Sequence, residues 1–121
     1  MIIAVDCDDV LADSISMLKK TYFEKFGRND VENLVPVFQR WEEEVGFDIK
    51  KRLMEIFLDP KFILSIQPIK GAIEGIKALS NQDIEIIIVT SRGSHVKEAT
   101  KEWTQKYFGS AIKDIIHQPY D

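Results

Sequence analysis

The run Ile2-Ile3-Ala4-Val5-Asp6-Cys7-Asp8-Asp9-Val10-Leu11-Ala12-Asp13 decides the fold. Four apolar residues lead into four acids, Asp6, Asp8, Asp9 and Asp13, within eight positions. An unbroken apolar run of this kind reads as a strand, residues 2–6, buried on both faces of a parallel sheet. Its C-terminal end delivers carboxylates to the rim where open α/β sheets keep their ligands. Carboxylates this close repel one another unless a cation or a proton lies between them.

The rest of the chain is ordinary in composition. Its 121 residues suffice for one domain with a real core. It is 45% hydrophobic and 30% charged, as soluble globular proteins are. A net charge of −4 offers no basic footprint for nucleic acid. No run approaches the ~18–20 apolar residues of a membrane span. No basic region precedes the N-terminal apolar run, so a signal peptide is not expected. The single cysteine, Cys7, cannot form an internal disulfide and suits a reducing compartment. A cytoplasmic protein is expected.

Working outward, Asp13 or Ser14 is placed to cap a helix. Ile15, Leu18, Tyr22 and Phe26 follow at spacings of three and four, and Gly27 is its expected stop. Residues 31–66 read as short, interrupted helices. Pro36 limits the first piece or sits in its opening turn, and Phe38, Trp41 and Val45 share a face that Gly46 ends. Asp48 is the expected cap of the next piece, where Ile49, Leu53, Ile56 and Phe57 face inward, and Asp59-Pro60 breaks it. Pro68 restarts the chain, and Ile69, Ile73, Ile76 and Leu79 describe a helix. Ser80 to Asp83 is a polar connection. Ile84 to Val89 is a second buried strand, apolar apart from Glu85, and it runs into Thr90-Ser91-Arg92-Gly93. Ser94 can cap a helix carrying Val96, Ala99 or Thr100, Trp103 and Tyr107 on one face, ended by Gly109. Asp114 to His117 is a short third strand. Strand, helical excursion, helix, strand, helix, strand argues for a parallel α/β sheet with crossover connections. The long excursion exceeds one crossover and reads as a small helical cap over the strand ends.

The two strand ends carry complementary chemistry. Asp6 and Asp8 lie two apart and point to the same side if the chain stays extended. Two carboxylates with a backbone carbonyl and waters make a hard oxygen site suited to Mg²⁺. Thr90 and Ser91 add hydroxyls and free amides ahead of a helix, groups that bind phosphate oxygens. Together these describe a phosphoryl-transfer site, in which one carboxylate attacks phosphorus and the other handles protons.

On these residues the chain resembles the haloacid-dehalogenase-like (HAD) phosphohydrolases. It is most similar to the deoxyribonucleotidase group of 5′-nucleotidases. The resemblance rests on Asp6 to Asp13, Pro68-Ile69-Lys70-Gly71-Ala72, Ile87-Ile88-Val89-Thr90-Ser91-Arg92, and Lys101-Glu102-Trp103 with Lys106-Tyr107-Phe108-Gly109. It implies a Rossmann-like, three-layer parallel sheet. Residues 1–14 and 67–121 form a core that is incomplete at the C-terminus, and 15–66 form a helical cap. It implies that Asp6 is the nucleophile and Asp8 the general acid/base, with Mg²⁺ on Asp6 and the Asp8 carbonyl. Thr90, with Ser91, then holds the phosphate; Arg92 beside them reads equally as a further phosphate contact or as a solvated arginine. The substrate class implied is a small phosphate ester, with nucleoside monophosphates as the leading candidates.

The chain also departs from that pattern. The family usually carries Gly where Asp9 stands. Its pattern continues with a phosphate-holding lysine and a strand ending in paired acids, for which Lys101 and Lys113 lie too early and Asp121 stands alone. Those later strands pair with the acidic strand, so Ile2 to Val5 is expected to be an exposed apolar edge prone to self-association. Three explanations are open: a truncated chain, a partner covering the edge, or a degenerate protein that binds metal, phosphate or a partner without turnover. A phospho-receiver module is disfavoured, because its phosphoacceptor lies at a later strand than its acid pair and it has no place for the helical insert. An EF-hand fails, because Leu11 occupies the position that needs Gly.

Simpler roles are expected for other residues. Cys7 reads as core, Glu42 to Glu44 as a solvated face, and His95 and His117 as structural or surface residues. Trp41 and Phe38 read as core residues that could alternatively stack on a base.

Overall fold

Three parallel strands form one open sheet in the computed structural model, which describes residues 1–118. Asp121 lies outside the described residues. The strands are β1 (Ile2–Val5), β2 (Glu85–Thr90) and β3 (Ile112–His117), in the order β1-β2-β3. Among the described residues six helices accompany them: α1 (Ser14–Phe26), α2 (Trp41–Val45), α3 (Phe47–Phe57), α4 (Pro60–Ser65), α5 (Ala72–Ser80) and α6 (Lys97–Phe108). Short 3₁₀ turns precede α2 and α6 and separate α6 from β3.

The central strand behaves as its composition predicts. Ile86, Ile88 and Thr90 on one face of β2 are fully buried, and Ile87 and Val89 on the other are half-buried. The expectation of burial on both faces fails for β1. That strand ends at Val5 and is the sheet edge; Ile2 and Ala4 are exposed, Ile3 and Val5 only half-buried. An apolar run encodes the tendency to bury, but burial needs a neighbour on each side, and β1 pairs only with β2. β3 is likewise an edge, and it starts two residues before the expected Asp114.

Helix boundaries follow the punctuating residues. Gly27 ends α1 in the left-handed conformation (φ 64°), and its N–H donates to the Phe23 carbonyl at 2.8 Å. Asp59 caps α4, accepting from the Lys61 N–H at 2.9 Å, with Pro60 at the first helical position. Three expected caps are not made. Asp13, Ser94 and the Asp48 side chain form no capping bond; Asp48 sits inside the first turn of α3, where its charge still complements the helix dipole. The helix expected from Ile69 begins only at Ala72, because Pro68 forms a bridge with Ala12 and Gly71 turns left-handed before the helix can start.

That bridge closes the helical excursion at its base. The Asp13 N–H donates to the Gln67 carbonyl and the Ile69 N–H to the Leu11 carbonyl, both at 2.8 Å. The excursion nevertheless shares a continuous core with the sheet. Leu18 and Tyr22 of α1, Leu53 of α3 and Ile63 of α4 belong to the same buried cluster as Ile86, Ile88 and Trp103. Trp103 ties the parts together: its indole N–H donates to the Ile66 carbonyl at 2.7 Å. Among the described residues no helix is long and apolar enough to cross a membrane.

Candidate active site

Strand register brings the two predicted strand ends together. Val5 of β1 is level with Ile88 of β2, so both chains leave the sheet at the same rim. After Val5 the chain stops being extended. The Cys7 carbonyl accepts from the N–H groups of Leu11 and Ala12, both at 2.9 Å, and the Asp9 N–H donates to the Ala12 carbonyl at 2.7 Å. This tight loop puts Asp9 at φ 61°, left-handed territory in which Gly is free and Asp is among the better-tolerated alternatives. The Asp9 carboxylate accepts the Ile15 N–H at 2.9 Å and thereby makes the helix cap expected of Asp13 or Ser14. Burial raises the Asp9 carboxyl above the ordinary aspartate value, and the Ile15 bond only partly offsets it. Cys7 is fully buried, and that burial pushes its thiol up to about 12, so it stays an inert core group.

Asp8 and Arg92 meet across the rim. The guanidinium donates twice, Nη2 to Oδ1 at 2.6 Å and Nε to Oδ2 at 3.1 Å. Ser14 donates a third bond to Oδ1 at 2.5 Å. Arg92 is buried, and its Nη1 also donates to Oγ1 of Thr100 at 3.0 Å. A solvated arginine, one of the two sequence readings, is therefore ruled out. Thr90 is fully buried and is not part of the cavity wall; its hydroxyl accepts the Arg92 N–H at 3.2 Å. Ser91 is exposed and does line the cavity. Sequence alone does not mark Ser14 or Thr100 as site residues, because no local pattern reveals which distant group a hydroxyl in a helix will meet.

A cavity of about 560 Å³ opens at this rim. One wall is Asp6, Asp8, Asp9, Ser91 and Arg92; the other comes from the helical excursion, with Phe38, Trp41, Met54, Phe57 and Leu58. Trp41 is a core residue that also lines the cavity. It is nearly buried, its indole N–H donates to the Val35 carbonyl at 2.8 Å, and it still faces the cavity. It packs edge-on to Phe38 with ring centres 5.4 Å apart and lies 6.1 Å from the Phe57 ring. His95, expected to be structural or surface, is exposed and lines the same cavity, its ring against Gly93, where any Cβ would come within 2.6 Å of it. His117 lies off the cavity wall, its Nδ1 3.1 Å from the Arg92 carbonyl.

The donor set suits a magnesium ion only in part. Asp6 is exposed, with Oδ1 accepting the Cys7 N–H at 2.7 Å, and the Asp8 carbonyl accepts no hydrogen bond among the described residues. A carboxylate oxygen and a carbonyl oxygen are what Mg²⁺ takes when water and substrate phosphate complete its shell. The Asp8 carboxylate does not fit as a ligand, since both its oxygens are engaged by Arg92. Among the described residues no three His, Cys, Asp or Glu side chains converge on a common metal position.

Residues 1–116 match the family model described as 5′ nucleotidase, deoxy (pyrimidine), cytosolic type C protein (NT5C). No curated protein sequence matches the chain.

Proposed function

The chain belongs to the family of cytosolic type C 5′ nucleotidases, deoxy (pyrimidine), a HAD-like nucleotidase family, and from that premise we propose that it hydrolyses nucleoside monophosphates or a related small phosphate ester at the rim cavity. One observation carries the reading: an acidic strand end and the Ser91 turn form one wall of a cavity whose other wall is aromatic. The polar wall suits a phosphate and the aromatic wall a base. Residues 15–66 act as the cap, residues 1–14 and 67–121 as the core, and the site of action is cytosolic. Neither nucleic acid nor membrane is a partner in this reading.

Asp6 is the nucleophile. Its exposed carboxylate oxygen attacks phosphorus, the ester P–O bond breaks, and the leaving oxygen takes a proton from Asp8. Asp8 then accepts a proton from the water that attacks the aspartyl-phosphate, which releases phosphate and restores Asp6. The acid step needs a proton on an Asp8 oxygen, and Oδ2, which accepts a bond from Arg92 Nε alone, has the second lone pair to carry it. Ser91 offers its hydroxyl and amide to the phosphate, and Thr90 holds the turn. Asp6 and the Asp8 carbonyl would hold Mg²⁺, which when bound neutralises charge on the phosphoryl oxygens.

The test is hydrolysis of an aryl phosphate and of nucleoside monophosphates, with Mg²⁺ and with a chelator. Magnesium-dependent turnover that Asp6→Asn abolishes is the expected result. Turnover that survives Asp6→Asn removes the nucleophile assignment. A second reading, binding of phosphate without turnover, is favoured by the engagement of both Asp8 oxygens and predicts a folded protein that binds nucleotide and hydrolyses nothing. The exposed β1 edge adds self-association through that strand to the proposal. A monomer in sedimentation at high concentration would remove it.

A further inference from the structure

We propose that Arg92 and Thr100 are positioning residues for Asp8, and that the Arg92 guanidinium clamps the acid instead of receiving the phosphate. The proposal rests on Asp8 being the acid/base of the reaction described above.

The first support is where the guanidinium's donors go. Arginine carries five N–H donors in a rigid plane. Here Nε and Nη2 are directed at the two oxygens of Asp8, and Nη1 at the Thr100 hydroxyl. The second is how both ends of the residue are held. At its root, the Arg92 N–H donates to Thr90 and its carbonyl lies 3.1 Å from Nδ1 of His117. At its tip, Thr100 is itself fixed: its hydroxyl donates to the Val96 carbonyl at 2.8 Å, so its lone pairs are left for Arg92. The third is exposure. The Arg92 side chain is 3% exposed and the Asp8 side chain 23%. A cation that must receive a phosphate from solvent belongs on the open side of such a pair, and here the open member is the acid.

The ordering has a chemical purpose. A carboxylate held at both oxygens by a planar fork keeps one rotamer, and a proton-transfer group must be within hydrogen-bond reach of the atom it serves. Lysine cannot replace the fork, because a single ammonium engages the carboxylate as a point charge without fixing its plane.

Steady-state kinetics of Arg92→Lys, Thr100→Val and Thr100→Ser separate the roles. Arg92→Lys is expected to lower kcat about 10- to 100-fold with KM unchanged, Thr100→Val to lower kcat less, and Thr100→Ser to match the parent. A raised KM at unchanged kcat in Arg92→Lys, as loss of a phosphate cation produces, overturns the proposal. A second arm needs no turnover and no folded Arg92 variant. In ¹⁵N spectra the Arg92 Nε–H is expected to exchange slowly with solvent in phosphate-free protein and rapidly in Asp8→Ala. Slow exchange that appears only when inorganic phosphate is added overturns it. An inactive parent with a protected Nε–H would remove the hydrolase reading and leave the clamp standing.

Discussion

Asp8 and Arg92, 84 residues apart in sequence, form a two-point ion pair that joins the end of β1 to the end of β2. The pair is asymmetric, with a buried guanidinium and a partly open carboxylate. Removing the carboxylate leaves a buried charge without its partner, which is much costlier than losing a surface pair. Asp8→Ala is expected to lower unfolding free energy by about 3 kcal/mol, at the low end for buried pairs because Asp8 is partly solvated. Asp8→Asn keeps one acceptor oxygen and should cost less. Urea midpoints compare the three proteins. An Asp8→Ala protein as stable as the parent would mean that the pair does not hold the strand ends.

Asp9 combines a left-handed backbone with a helix cap, and each makes its own demand on the side chain. Asn meets both, since it tolerates that conformation and offers an acceptor to the Ile15 N–H. Asp9→Asn should therefore stay within about 0.5 kcal/mol of the parent. Asp9→Val loses the cap and strains a β-branched residue, a cost of about 2–4 kcal/mol. Thermal melts would show the two variants clearly apart, and equal melting temperatures would contradict this account of the loop.

Cys7 sits within the acidic loop with no exposed surface, and burial pushes its thiol up to about 12. The reactive species is the thiolate, so the folded protein should resist iodoacetamide at pH 8. Labelling is expected only as fast as the protein unfolds, and promptly in urea. Rapid labelling under native conditions, followed by mass spectrometry, would show that the loop opens independently of the rest.

Trp41 faces the cavity, whereas Trp103 is sealed in the core. A deoxypyrimidine nucleoside monophosphate should therefore quench part of the tryptophan emission by stacking in the aromatic wall. Inorganic phosphate should not, and Trp41→Phe should abolish the effect. Equal quenching in Trp41→Phe would place the base elsewhere.

Much of the fold was legible because its signals are local. Gly27, Gly46, Gly109 and the Asp59-Pro60 step mark element ends through their own backbone preferences, and the apolar run of β2 announces a central strand. That the acidic strand end and the Ser91 turn meet at one rim was readable, since parallel strands linked by crossovers finish on the same side. Cap assignments read one residue at a time were less secure. Asp13, Ser94 and Asp48 each had the right chemistry, but a cap also needs the side chain to reach a free amide, and Asp9 reached Ile15 first.

The sequence by itself thus determined the element order, the parallel sheet and the family of the chain, because periodicity, turn residues and contiguous motifs act over a few positions. Only the tertiary structure decided that Arg92 is bound to Asp8 and Thr100, and that Trp41 and Phe57 share a cavity with Asp6. Those relationships join residues far apart in the chain. Side-chain charge and size allow many such pairings, and the packing of the whole core selects one.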